Sequence, residues 1–350
     1  MVIRNGGLGD TLLLVPFFRR IRAEYPAGEV HGMGRKETLD LLVREGEIHA
    51  ALAFDRDGIW CFFNREEHLP AGLANLFSSY DRIYSLVDDA DGIFNENLKR
   101  ASRGEVICAS PFPPPRFPWH ISRYYVDILG PGQEGANPRN EYSLLERPFA
   151  KREDDLSALA PYFREWGVDP QKDRLLALHP GSGSPYKNWP LKSFLETARI
   201  CGERGWKILW LLGPAEEERE ADFPGAGENI ISVRLSLALL SSLLKYCGAY
   251  LGNDSGISHL AGWSGIPTVV LFGPSDPLLW KPLGPGVKIL SRGLMCSPCP
   301  QEEWKNCPER RCLLGISVEE ALFAADESRL NSCSFAKPFF SHKATKPQRK

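Results

Sequence analysis

Three short stretches of this chain gather charged, hydroxyl and glycine residues at the ends of apolar runs. The first is Asn5-Gly6-Gly7-Leu8-Gly9-Asp10, directly after Val2-Ile3-Arg4. The second follows Leu175-Leu176-Ala177-Leu178-His179 and runs from Gly181 to Lys187, with Ser182 and Ser184 between. The third is Asn253-Asp254-Ser255-Gly256, with His259 one turn past Ser255. Small hydroxyl residues, open N–H groups and one lysine before a helix suit a diphosphate. Ser182 and Ser184 can donate to phosphate oxygens, and Lys187 can neutralise charge on a departing phosphate. Asp254 does not favour phosphate by its charge, but beside Ser255 and Gly256 it can cap a helix or hold a ribose hydroxyl. Asp10, at a helix start, is favoured as an anion by the helix dipole, and Gly7 and Gly9 let the backbone approach a substrate closely. Against these stand the plainer readings: an N-cap, a core histidine and a solvated lysine.

The elements that must position these groups alternate strand, loop and helix. Apolar spacing after Asp10, through Leu12, Leu13, Val15, Pro16, Phe17, Phe18 and Ile21, predicts one amphipathic helix. Leu191, Phe194, Leu195, Ala198 and Cys201 predict another, with Pro190 at its first position and Gly205 closing it. Thr268 to Phe272 reads as a buried parallel strand. In open α/β sheets, ligands bind at the carboxyl ends of strands, where all three loops fall. The spacing matches neither GxGxxG nor a P-loop, which removes support for dinucleotide or ATPase chemistry. Ile59-Trp60-Cys61-Phe62-Phe63 and Pro111 to Trp119 read as loops, and burial is the commoner fate of such aromatics. A charged, proline-punctuated stretch from Arg147 to Lys172 places a boundary near residue 150, giving domains 1–150 and 151–330.

The 350 residues suffice for two cores, and 43% hydrophobic with 25% charged residues is a soluble globular composition. A formal net charge of −2 argues against general nucleic-acid binding. Nine cysteines, an odd number, do not form a secreted disulfide framework. With neither a signal-peptide pattern nor a membrane-length apolar run, the expected location is the cytoplasm. Cys296, Cys299, Cys307 and Cys312 suggest zinc by their first spacing, but the second pair is not a tight CxxC, so reduced thiols are the expectation. Residues 331–350 are lysine-rich and aperiodic. A disordered tail is expected, with attraction to anionic lipid as the alternative.

Gly7-Leu8-Gly9-Asp10 with Pro16, His179-Pro180-Gly181 with Lys187-Asn188-Trp189-Pro190, and Asn253-Asp254-Ser255-Gly256 with His259 resemble the heptosyltransferases of glycosyltransferase family 9. Gly213 to Arg219 and Phe272 to Pro277 support the resemblance, which covers most of residues 1–325. It implies an α/β fold of GT-B architecture, with two Rossmann-like domains facing each other across a cleft, the first binding acceptor and the second donor. It further implies inverting transfer of heptose from ADP-heptose to the lipopolysaccharide core, with no metal or other cofactor. The acceptor would be a lipid-linked oligosaccharide, reached by peripheral contact with the cytoplasmic face of the inner membrane. By the resemblance Asp10 matches the catalytic base, Lys187 the diphosphate-binding lysine, and Asp254, Ser255, Gly256 and His259 the donor-site signature. One of Glu216, Glu217 and Glu218 would contact the ribose. The family's first strand has more apolar residues than Met1-Val2-Ile3 supplies, so either the start lies upstream or the strand is short. Two rivals remain: a GT-B transferase for another nucleotide sugar, and a non-catalytic nucleotide- or sugar-binding module.

Overall fold

A computed structural model describes residues 1–65, 68–130, 147–213 and 229–333. The β-branched Val2-Ile3 pair starts β1 (Val2–Arg4), and Gly6-Gly7 release it into α1 (Leu8–Leu12) and α2 (Val15–Glu24). The single helix expected here is two, and Pro16 is the reason. Proline has no N–H to give to the carbonyl four residues back, so Leu12 O is left without its helical partner. The indole Nε1 of Trp263, from the far half of the chain, donates to that oxygen at 3.1 Å.

The first half continues through β2 (His31–Gly34), α3 (Lys36–Arg44), β3 (Ala50–Ala53), α4 (Ala71–Ser78), β4 (Arg82–Ser85), α5 (Ile93–Ala101), β5 (Glu105–Cys108) and α6 (Ile121–Ile128). Its five strands pair in parallel in the order β3-β2-β1-β4-β5. Ile59–Phe63, expected as a loop, is a 3-10 helix. Phe62 is the cause: it is fully buried and meets Phe77 edge-on at 5.2 Å, burial that roughly 1.5–3 kcal/mol favours. Its neighbour Trp60 stays 60% exposed.

The second half begins with α7 (Glu153–Glu165), then β6 (Arg174–His179), α8 (Leu191–Glu203), β7 (Trp206–Leu211), β8 (Ile230–Val233), α9 (Leu237–Leu244), β9 (Ala249–Asn253), α10 (Gly256–Trp263), β10 (Thr268–Leu271), α11 (Pro277–Trp280), β11 (Val287–Leu290), α12 (Arg311–Leu314) and α13 (Val318–Cys333). Pro190 precedes the first residue of α8 instead of occupying it. Its strands are also parallel, in the order β11-β10-β9-β6-β7-β8, so strand order reverses between β6 and β9. Ligand loops belong at that reversal. The final helix opens with a capping box: Ser317 N donates to Glu320 Oε2 and Glu320 N to Ser317 Oγ.

The two halves meet where α1 crosses α10. A Cβ on Gly9 would lie 3.1 Å from His259 Cδ2, and one on Gly256 would lie 2.8 Å from Leu8 Cβ. These two glycines therefore let two helix starts touch. A buried ionic cluster forms a second contact: Lys245 Nζ lies 2.9 Å from Glu45 and 3.5 Å from Asp155, with Ser241 donating to Glu45 and Ser242 to Asp155. All three charged side chains are at most 1% exposed. Among the described residues no helix is long and apolar enough to cross a membrane. The expected ribose contact at Glu216–Glu218 and residues 334–350 of the basic tail lie outside the described residues.

Candidate active site

The loop after β1 folds around Asp10. Gly7 N donates to Asp10 Oδ2 at 2.8 Å, so the carboxylate reaches back over the first turn of α1. Arg4 Nη2 reaches the other oxygen at 3.2 Å. A Cβ on Gly6 would lie 2.6 Å from Asp10 Cβ, which is why glycine stands there. The Asp10 side chain keeps 31% of its surface open, into a cavity of about 550 Å³.

The facing wall comes from the β6 and β9 loops, tied together by Asn253. This fully buried side chain accepts from Trp189 N at 2.9 Å and donates to Pro180 O at 2.7 Å. Each backbone loop thereby satisfies a polar group that would otherwise be buried alone. Lys187 Nζ donates to Asp254 Oδ2 at 3.0 Å, and Ser275 Oγ donates to the same oxygen at 2.5 Å. Asp10, Lys187, Asp254, Ser255, Gly256 and His259 all line the one cavity, together with Gly7 and Gly9. Ser182 is turned inward: its hydroxyl lies 2.7 Å from Ser184 O and 2.6 Å from Asn188 Oδ1 and caps its own loop. Gly183, between the two serines, is the residue of that turn in the cavity wall.

Ser255 is the N-cap of α10, its oxygen accepting from Ser258 N and lying 3.2 Å from His179 Nδ1. Burial lowers the pKa of His179 to about 4. Burial does the same to His259, against the opposing pull of Asp254 and Asp10. Both rings are neutral at pH 7, and His259 Nδ1 is buried with no partner among the described residues. His259 therefore adds no charge to the cavity.

Three features of the site had no role assigned from the sequence. Arg4 is a lone cation at a strand end, Ser275 lies in a stretch noted only for its resemblance, and further wall comes from Pro298, Cys299, Gln301 and Trp304, of which only Cys299 was noted, as a thiol. The last segment is pinned by Cys299 N to Pro274 O and by Ser297 Oγ to Gly273 O. Burial, then the neighbouring Cys296 and Cys307 thiols, raise the pKa of Cys299, which holds it as a thiol. Among the described residues no three His, Cys, Asp or Glu side chains are grouped to hold a metal. A second cavity of about 390 Å³ opens at the carboxyl ends of β6 to β8. Leu211, Leu212, Val233 and Leu237 give it apolar walls, and Arg35 reaches it from the other half.

The family model described as glycosyltransferase family 9 (heptosyltransferase) matches residues 124–308. The chain belongs to this family. Lipopolysaccharide heptosyltransferase 1 of Pseudomonas aeruginosa is 33% identical over 159 residues, a match spanning 44% of either chain. Lipopolysaccharide heptosyltransferase 3 of Escherichia coli K12 is 21% identical over 292 residues, spanning 78% of this chain and 82% of that one. Among solved structures, the family 9 glycosyl transferase of Veillonella parvula superposes with a TM-score of 0.73 at 19% identity, covering 94% of this chain and 96% of that one. The dodecameric iron-containing heptosyltransferase TibC of enterotoxigenic E. coli, solved with ADP-D-β-D-heptose, gives 0.56 at 14%, covering 95% and 76%. The architecture is thus GT-B, with two Rossmann-like units and a cavity lined from both, and the chain is a glycosyltransferase.

Proposed function

We propose that this family 9 glycosyltransferase transfers a heptose from ADP-heptose to a lipopolysaccharide-type core acceptor, with inversion and with no metal in the chemical step. The observation that carries the reading is the placement of Asp10 and Lys187, from opposite halves, in one cavity. An inverting displacement needs a base on the acceptor side and positive charge on the leaving-group side. Asp10 takes the proton of the acceptor hydroxyl as that oxygen attacks the anomeric carbon. The bond from that carbon to the diphosphate oxygen breaks, and ADP leaves toward Lys187 and the first turn of α10. Gly183 lets the diphosphate close on the backbone of its loop, while Ser182 and Ser184 hold that loop's shape. The second cavity, apolar and beside Leu8 and Ile257, takes the nucleobase. Neutral His259 packs between the two sets of charges without adding to either.

The test is turnover by the full chain with ADP-, UDP- and GDP-sugars, reading nucleotide release and product mass on a lipopolysaccharide-core acceptor. ADP-heptose is expected to be consumed, and Asp10→Asn is expected to lower kcat by about 10²–10⁴ with ADP affinity kept. Consumption of a UDP- or GDP-sugar alone identifies a different donor. Binding without turnover identifies a non-catalytic module. Near-normal kcat in folded Asp10→Asn refutes the base.

A further inference from the structure

We propose that Arg4 is a positioning residue for the Asp10 carboxylate, an inference that rests on reading Asp10 as the base. Arg4 ends β1 with its side chain 8% exposed, beneath an Asp10 that is 31% exposed to the cavity. The two donors to Asp10 divide its oxygens: Arg4 Nη2 takes Oδ1 and Gly7 N takes Oδ2. One donor would fix a point on the carboxylate, whereas two on different oxygens fix its torsion as well. The remaining lone pairs then face the cavity, where an acceptor hydroxyl must sit.

A purely structural role explains this arginine poorly. The first turn of α1 is already served by the Gly7 N contact, so capping needs no cation. Burying a guanidinium is costly unless all its donors are used, yet Arg4 Nε is buried with no partner among the described residues. Its surroundings hold it in place more than they neutralise it. The guanidinium lies 5.4 Å from the Phe112 ring centre, beside Tyr125, whose hydroxyl donates to Pro111 O at 3.0 Å. The proline-rich stretch before α6 thus clamps Arg4 from one side and β1 from the other.

The experiment is a cycle of Arg4→Gln, Arg4→Lys and Asp10→Asn in the full chain, read by single-turnover rate, acceptor KM and ADP affinity. Arg4→Gln is expected to lower the single-turnover rate roughly 10- to 100-fold, the scale of an ångström of misplacement, with ADP affinity unchanged. Arg4→Lys is expected to recover most of that loss. In the Asp10→Asn background, Arg4→Gln is expected to change the residual rate less than about twofold, because the group it positions is no longer a base. Equal losses in both backgrounds, or Arg4→Lys no better than Arg4→Gln, overturn the proposal. If Arg4→Gln does not fold, Arg4→Lys decides through its own loss, which must vanish in Asp10→Asn. Full turnover by Asp10→Asn alone instead overturns the reading of Asp10 and leaves that failure separate from Arg4.

Discussion

Removing Lys187 does two things, and the geometry separates them. The ammonium lies 3.0 Å from Asp254 Oδ2, with the side chains 18% and 8% exposed, so it is the partner of a nearly buried carboxylate and, on the proposed reading, a ligand for the donor phosphate as well. Lys187→Ala loses one charge-assisted contact to the diphosphate, about 1.5–3 kcal/mol. It also leaves Asp254 uncompensated beside the incoming anion. Two unit charges about 6 Å apart at an effective dielectric of about 20 repel by roughly 3 kcal/mol. The single variant should therefore weaken ADP by about 4.5–6 kcal/mol at low salt, or roughly 10³–10⁴-fold. Lys187→Ala/Asp254→Asn removes the second effect, since the amide that replaces the carboxylate keeps an oxygen for Ser275 Oγ. It should recover about 1–3 kcal/mol of ADP affinity over the single variant. Isothermal titration of ADP into the full-length variants at two salt concentrations measures both. If the double variant binds ADP no better than Lys187→Ala, Asp254 is not the source of repulsion and holds the donor directly. If Lys187→Ala binds ADP like the parent, the lysine is not on the donor side.

Two further outcomes follow from groups outside the phosphate contacts. His179 and His259 have folded pKa values lowered by burial from 6.5 to about 4, so the stability they contribute is complete above pH 6.5 and declines as pH falls toward 4. At pH 5 each costs about 2 kcal/mol, so urea midpoints should drop steeply between pH 7.5 and 5, and His259→Gln should lose part of that slope; an unchanged slope refutes the assignment. Lys245→Met leaves Glu45 buried without its cation, while Asp155 keeps Arg44 at 3.0 Å; the loss should cost about 3–5 kcal/mol in urea unfolding, with Lys245→Met/Glu45→Met recovering most of it. A single variant as stable as the parent would show that the cluster bears no net load.

Strands β1, β6 and β10 were legible because each is short, largely apolar and followed within two residues by glycine or proline. Leu175 to His179 followed by Gly181 has few other readings, and the parallel sheet follows from helices between strands. What was not legible depended on residues far apart in the chain. Pro16 alone forecasts a free carbonyl at Leu12, but nothing nearby says that Trp263 will take its hydrogen bond 251 positions away. Gly9 reads as an opening toward a substrate, whereas the space that it and Gly256 lack is filled by the other half of the protein. Ile59–Phe63 reads as a loop in the sequence because the burial of Phe62 comes from Phe77 and Phe94, on helices that follow it.

The same distance explains why the site's charges were found and their partners were not. Asp10, Lys187 and Asp254 stand out because each interrupts a small-residue loop. Arg4 and Ser275 do not, since a strand-end arginine and a turn serine are common anywhere. Yet those partners set the electrostatics. The first half presents Asp10 already paired with Arg4, and the second presents Lys187 already paired with Asp254. Each wall of the cavity therefore holds an internally compensated pair, so the two halves can meet around α1 and α10 with little charge to desolvate unpaired. On the proposed reading, a donor diphosphate would break that balance on one side only, because Lys187 would then be shared between Asp254 and phosphate while Arg4 kept its single carboxylate. A fixed pair on the acceptor side and a pair that opens on the donor side would suit a transfer reaction with a mobile leaving group.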